Sequence, residues 1–395
     1  MCERPLRIAL LTHSVNPRGG VVHCLSLGEA LMARGHAVTI HAPAAAGSRF
    51  FRGTSCATRF VPCEVAPASL SAVVEARIRG FVDWFSQPGH ADFDVFHAHD
   101  GIGANALLAL RRAGTVAGYL RTVHHLETSF GDARVDAWEA RCIDHADRLL
   151  TVSPTWQDTL LQRFGRASTL VGNGVDLSRF NPQPTEMDVR LRHRLGLGRG
   201  PIFLMVGGIE ARKNTIGALR AFARLRHGVP DAQLLIVGGA SLLDHDRYRR
   251  DFDAALAQAG LTAGIEVILA GVLADDEMPA AYRLADALVF ASLIEGFGLA
   301  IIEAMACGVP TLVSGMAPFT DFLGDTDCLW VDPHDPDSIA TAMCRALIPA
   351  TRQQLIEAGH QVAAHHLWSD CAHAHEAAYL DLLKTTTPIT EFQHA

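Results

Sequence analysis

Short continuous apolar runs, many of them β-branched, recur along this chain of 395 residues and alternate with longer stretches whose apolar positions fall at helical spacing. Continuous runs of that kind read as strands buried on both faces, and their alternation with helices predicts an α/β protein built on parallel sheets. In the first half, strands are expected at Arg7–Leu11, Ala37–His41, Arg59–Pro62, Val95–Ala98, Gly118–Val123, Arg148–Val152 and Thr169–Val171. A helix is expected over Val22–Arg34, where Leu25, Leu27, Ala30 and Leu31 lie near helical spacing and Gly35 provides a stop. The texture changes between Phe180 and Pro201, where Asn-Pro-Gln-Pro is followed by Arg190, Arg192, Arg194 and Arg199, and this stretch reads as a linker or inter-domain helix. The pattern then restarts, with strands expected at Ile202–Val206, Gln233–Val237, Glu266–Ala270, Ala287–Phe290, Thr311–Val313 and Leu329–Val331. A last helix, His373–Leu383, has no strand after it and is free to cross back towards the first half.

The expected organisation is therefore an N-terminal Rossmann-like domain over 1–180, a linker over 181–200, a second Rossmann-like domain over 201–365 and a C-terminal helical segment over 366–395. Open α/β sheets bind ligands in the crevice beyond the carboxyl ends of their strands, so the site is sought where two such domains face each other across a cleft.

Composition narrows the class. With 49% hydrophobic and only 19% charged residues the chain is not a disordered tail, and 34 Lys+Arg against 42 Asp+Glu leave a net charge of -8 with no dense basic patch, so no nucleic-acid partner is expected. Nine cysteines, an odd number without a C-x-x-C pair, fit reduced thiols in a cytoplasmic protein. The apolar stretch Ile8–Leu11 is too short for a signal-peptide core, and no run reaches the roughly 20 residues that span a bilayer.

Candidate chemistry lies just after strands. Gly19 and Gly20 stand at the mouth of a helix, either an anion site formed by backbone amides and the helix dipole or a flexible turn. A stronger signal is Ser292 to Pro310, in which Glu295 and Glu303 are separated by seven residues, with Gly296, Phe297, Gly298 and Leu299 leading into a helix. Amides at that helix start suit phosphate and the carboxylates suit sugar hydroxyls, although Glu303 alone could be a surface residue.

This stretch resembles the E-x7-E motif of retaining glycosyltransferases of the GT-B fold, family 4, also called glycosyl transferases group 1. Other segments are similar to family motifs in the same order: Gly19-Gly20, Asp94 to His99, Arg121 to His125, Val171 to Phe180 with Asn173, Val206 to Asn214, and Ile236 to Gly239. The resemblance implies a retaining hexosyltransferase that moves a sugar from a nucleoside-diphosphate donor to a small-molecule, glycan or lipid acceptor. It implies no metal and no cofactor beyond the donor substrate. By position, Glu295 would contact the transferred sugar, Glu303 the ribose and Lys213 the diphosphate. The amides of Phe297, Gly298 and Leu299, with Gly19, Gly20, Gly238 and Asn173, would belong to the substrate site, and His124 would approach the sugar. One departure stands out: the family commonly carries an Arg at the position of Gly208, and Arg212 is expected to supply that charge instead. A nucleotide-sugar epimerase or phosphorylase-like enzyme, or a non-catalytic nucleotide-sugar-binding protein, remains the alternative.

Several competing patterns carry less weight. Gly101-x-Gly103-x-x-Ala106 spells a dinucleotide fingerprint, but it follows a late strand and not the first. His97, His99, His124 and His125 are read as cleft or core residues in preference to a metal cluster, and His365, His366, His373 and His375 as a solvated helix face. Arg77 and Arg79, beside apolar neighbours, would allow a peripheral membrane contact but fit a packed helix better. No G-x-S-x-G elbow or P-loop is present.

Overall fold

A computed structural model describes residues 4–45, 47–63, 69–239 and 246–386. The chain divides into two compact units, 1–173 together with 368–395, and 174–367.

In the first unit the strands are β1 (Arg7–Leu11), β2 (Ala37–Pro43), β3 (Ala57–Val61), β4 (Val95–Ala98), β5 (Leu120–Val123), β6 (Arg148–Thr151) and β7 (Thr169–Leu170). They form one parallel sheet in the order β3-β2-β1-β4-β5-β6-β7. The second unit contains β8 (Ile202–Val206), β9 (Gln233–Val237), β10 (Val267–Gly271), β11 (Ala287–Phe290), β12 (Thr311–Ser314) and β13 (Leu329–Val331), ordered β10-β9-β8-β11-β12-β13 and also parallel. Both are doubly wound sheets, and the strand order reverses between β1 and β4 in one and between β8 and β11 in the other, the place where such sheets open a crevice.

The central strands are apolar because both of their faces are covered. Ile8, Leu10, Leu27 and Leu31 are fully enclosed in the first unit, as are Phe203, Leu234, Leu219 and Ala287 in the second. Gly28, in the helix Gly19–Ala33, lets that helix press on the sheet, since a Cβ there would stand 2.9 Å from Cys56 Sγ. The C-terminal helix Trp368–Thr386 packs on the helix Gly19–Ala33 within the first unit and buries Cys371, His375 and Tyr379. Arg34 secures it through Glu376. The stretch 181–200, expected as a linker or inter-domain helix, contains the helix Glu186–Leu195 and falls within the second unit.

The fingerprint-like Gly101 and Gly103 serve packing. Asp100 caps their helix by accepting from the Gly103 amide at 2.8 Å, and a Cβ on Gly103 would lie 3.1 Å from Leu11 Cβ. The helix Leu70–Phe85, which holds Arg77 and Arg79, buries Phe81 and Phe85, and Arg77 donates to the His13 carbonyl at 3.2 Å. Among the described residues no helix is long and apolar enough to cross a membrane.

Candidate functional site

In the second unit the loops after β8 and β9 touch through glycine. Gly208 has φ +78°, and a Cβ there would stand 2.7 Å from the Gly239 carbonyl oxygen; Gly238 has φ +134°, and its Cβ would meet the Gly208 amide at 2.5 Å. Position 208 is thus a left-handed backbone site with no room for a side chain, which explains physically why the arginine expected there is replaced.

Positive charge comes from the next turn. Ala211–Lys213 forms a 3-10 turn, closed by Asn214 in the left-handed region at φ +55° and anchored where Asn214 donates to the Pro333 carbonyl at 2.6 Å. From this turn Arg212 Nη1 and Lys213 Nζ both reach Glu295 Oε1, each at 2.5 Å, and Arg212 Nε reaches Glu210 Oε2 at 3.0 Å. Lys213 is buried, its ammonium lies 4.6 Å from the centre of the Phe290 ring, and its stem fills the space where a Cβ on Gly207 would be. Burial pushes the Lys213 ammonium down from the usual lysine range, with Glu295 opposing that shift. The Leu293 amide donates to the Arg212 carbonyl at 2.8 Å, tying the loop after β11 to the basic turn. Two cations and two carboxylates are thereby held at the β8/β11 reversal.

Glu295 and Glu303 occupy different surroundings. Glu303 lies in the helix Leu299–Ala306 and accepts from the Tyr282 hydroxyl at 2.6 Å; burial raises its carboxyl above the usual range. That helix starts at Gly298, φ +104°, with no side-chain cap, so its first-turn amides suit an anion. The Phe297 side chain stacks on Phe322 at 4.5 Å between ring centres and contacts His366 at 5.7 Å, which fixes the backbone leading into Gly298 and Leu299.

In the first unit, Gly19 and Gly20 open the helix Gly19–Ala33, again without a side-chain cap. Gly20 lies against His124, since a Cβ there would be 3.2 Å from His124 Cδ2. His124, just beyond β5, forms part of an imidazole cluster: His23 lies 4.8 Å away between ring centres, and His99 Nδ1 approaches His124 Nε2 at 3.4 Å. Asn173 joins it, its Oδ1 lying 2.7 Å from His23 Nδ1. His97 is satisfied by Tyr379 and Thr122 at 2.9 and 2.8 Å. Burial lowers His23 to about 4 and holds His97, His99 and His124 well below the usual histidine range, so these rings are neutral near pH 7. His125 stands apart, exposed and paired with Glu127 at 3.0 Å.

Two expectations need correction. His375 is not part of a solvated face: the turn of the C-terminal helix aims it into the core at 0% exposure, and His366 is half-buried against Phe297 and Phe322. Sequence reasoning also missed His23 and Tyr282. His23 follows the glycine pair by three residues on the helix face that carries Leu27, a spacing that could have marked it as inward-facing.

Comparisons with known proteins identify the family. The family "Glycosyl transferases group 1" matches residues 190–362, and "Glycosyltransferase Family 4" matches residues 17–179. The chain is 30% identical over 354 residues to GDP-mannose-dependent alpha-(1-6)-phosphatidylinositol monomannoside mannosyltransferase of Mycolicibacterium smegmatis, covering 85% of this chain and 87% of that one. It is 31% identical over 295 residues to D-inositol 3-phosphate glycosyltransferase of Salinispora tropica, covering 69% of this chain and 60% of that one. Sucrose-phosphate synthase from Thermosynechococcus elongatus superposes with a TM-score of 0.79 at 26% identity, over 96% of this chain and all (100%) of the other. Its two doubly wound parallel sheets are those of the GT-B fold, and the chain belongs to the group 1 glycosyltransferases.

Proposed function

We propose that this chain is a retaining hexosyltransferase that takes its sugar from a nucleoside-diphosphate donor without needing a divalent ion on the diphosphate. The observation that carries the reading is the convergence of Arg212 and Lys213 on Glu295 at the β8/β11 reversal. Breaking the bond between the anomeric carbon and the diphosphate builds negative charge on the leaving oxygen, and preformed cations with aligned amides lower that barrier. Lys213 and Arg212 would turn to the diphosphate, the start of the helix Leu299–Ala306 would hold its oxygens, and Glu295 would be released to bind sugar hydroxyls. Glu303 would accept from the ribose while keeping its bond to Tyr282. Within the first unit, Gly19, Gly20 and a neutral His124 are the candidate substrate contacts.

In this reading the acceptor oxygen bonds to the anomeric carbon on the face the diphosphate leaves, and the acceptor proton passes to a departing phosphate oxygen. Retention then needs no glycosyl-enzyme intermediate. Glu295 would be engaged by the sugar hydroxyls in this arrangement and would not serve as the nucleophile. The names of the relatives point first to GDP-mannose as donor and to an inositol-bearing acceptor, soluble or lipid-linked.

A panel of nucleotide sugars scored by thermal shift, followed by product NMR with inositol phosphates and phosphatidylinositol mannosides, tests the reading. The expected outcome is one preferred donor and a product with the donor's anomeric configuration, formed without added divalent metal. Inverted product, or no donor that stabilises the fold, would refute it. The glycine route at 208 favours one second reading, a nucleotide-sugar-binding protein without turnover, which would give the thermal shift but no product.

A further inference from the structure

The imidazole cluster of the first unit contains more nitrogen lone pairs than it has hydrogen-bond donors to meet. His23 and His375 are fully buried, and the Nε2 of each has no partner. In both rings the other nitrogen is committed: His23 Nδ1 donates to Asn173 Oδ1 at 2.7 Å, and His375 Nδ1 donates to the Cys371 carbonyl at 2.8 Å. Those bonds fix the tautomers and leave each Nε2 as a bare acceptor, the arrangement in which a metal-binding histidine is oriented by a carbonyl on its far side.

Cys371 completes the set. It is four residues before His375 on the C-terminal helix, so the two side chains share a face, and its Sγ lies 3.6 Å from the Gly172 carbonyl oxygen. One ring nitrogen from each of His23 and His375 and the Cys371 Sγ all lie within 4.8 Å of one another, with Cys371 Sγ 3.6 Å from His375 Nδ1. Around a tetrahedral zinc ion such atoms stand ~3.3 to 3.6 Å apart, from bond lengths of about 2.0 Å to nitrogen and 2.3 Å to sulfur, so closing the site takes shifts of roughly an ångström together with a turn of the His375 ring that brings its Nε2 towards Cys371 Sγ. His99, whose ring centre is 5.3 Å from that of His23, presents a third unpartnered buried Nε2. The surroundings are dry, with Trp368 edge-on to His23 at 5.3 Å.

We propose that His23, Cys371 and His375 bind one zinc ion, with His99 or a water as the fourth ligand. Two imidazoles and a thiolate select a borderline-soft ion such as zinc over magnesium or calcium. On binding, the Cys371 S–H bond breaks, its proton passes to solvent and sulfur bonds to the metal; the net change is displacement of one proton by the ion, with no change of oxidation state. The ion would link the helix Gly19–Ala33 to the C-terminal helix, holding residues far apart in sequence together and fixing His23 beside His124. This role is structural and is separate from the metal-free handling of the diphosphate proposed above.

The test uses the full, untagged chain refolded with zinc and desalted through a weak chelator. Elemental analysis should find one zinc per chain, and a strong chelator should remove it and lower Tm. Refolding with cobalt(II) should give a thiolate-to-metal charge-transfer band that disappears in Cys371→Ser. His23→Gln and His375→Gln should lose metal stoichiometry, whereas His365→Gln, at an exposed position, should keep it. Zinc lost to the weak chelator without a change in Tm would overturn the site. So would a charge-transfer band unchanged in Cys371→Ser. If Cys371→Ser fails to fold, the cobalt spectrum and stoichiometry of His375→Gln decide the matter, and full stoichiometry there would likewise refute the proposal.

Discussion

The two units carry the same architectural feature, a strand-order reversal with a helix start beside it, and fill it with opposite chemistry. In the second, Arg212, Lys213, Glu210 and Glu295 form a compact charged set. In the first, His23, His97, His99, His124 and His375 form an uncharged set whose basicity burial suppresses. Fold alone therefore does not set the electrostatics of such a crevice; the side chains at the strand ends do. A charged set stabilises charge that appears during a reaction, and a neutral one orients groups through hydrogen bonds and contact.

Removing charge from the second unit should have the largest effect. Lys213→Ala and Glu295→Gln are each expected to lower kcat/KM by about 100- to 1000-fold, the range for losing one preorganised electrostatic partner. Steady-state kinetics with the preferred donor checks this, and a loss confined to KM would move both residues from transition-state to ground-state binding. Arg212→Ala should cost less, on the order of 10-fold, because Arg212 is more exposed than Lys213.

A buried histidine outside that set predicts acid sensitivity. His41, at the end of β2, is buried against Phe85 and Phe93, and burial lowers it to about 3. Its folded value lies below its unfolded value, so the unfolded chain binds the extra proton: the stability contribution is complete above about pH 6.5 and declines as pH falls towards 3. At pH 5 the loss should be about 2 kcal/mol, and urea titrations of wild type and His41→Gln at pH 7 and pH 5 should show the variant losing less on acidification.

Gly208→Ala probes the backbone route that excludes the expected arginine. A Cβ against the Gly239 carbonyl, at positive φ, should cost ~1 to 3 kcal/mol of stability, measured by denaturant unfolding. The smallest effect is expected for Tyr282→Phe, which removes a hydrogen bond to Glu303 and should change donor KM only a few-fold, corresponding to about 1 kcal/mol.

The strands were legible because parallel strands covered on both faces are written as unbroken apolar runs, as in Ile8–Leu11 and Ile202–Val206. Helix ends were less so. The helix expected from Val22 begins at Gly19, where no capping side chain signals the start, and the C-terminal helix expected over His373–Leu383 runs from Trp368 to Thr386. Glu295 could be found because it follows a strand in a glycine-flanked turn, whereas Lys213 and Arg212 were reached only through the family resemblance. The pairing of Tyr282 with Glu303, and of His23 with Cys371 and His375, could not be found, since each is made only by tertiary packing, the latter across almost the whole chain. For position 208, the family resemblance implies an arginine, and only the approach of Gly239 shows that the backbone here leaves no room for one.

The central claim is that the Arg212–Lys213 turn exists to hold a diphosphate. Calorimetric binding of a nucleoside diphosphate and the matching monophosphate to wild type and to Lys213→Ala tests it directly. The account predicts that wild type prefers the diphosphate by at least about 10-fold, equivalent to roughly 1.4 kcal/mol, and that the preference collapses in the variant. Equal preference in both proteins would contradict it.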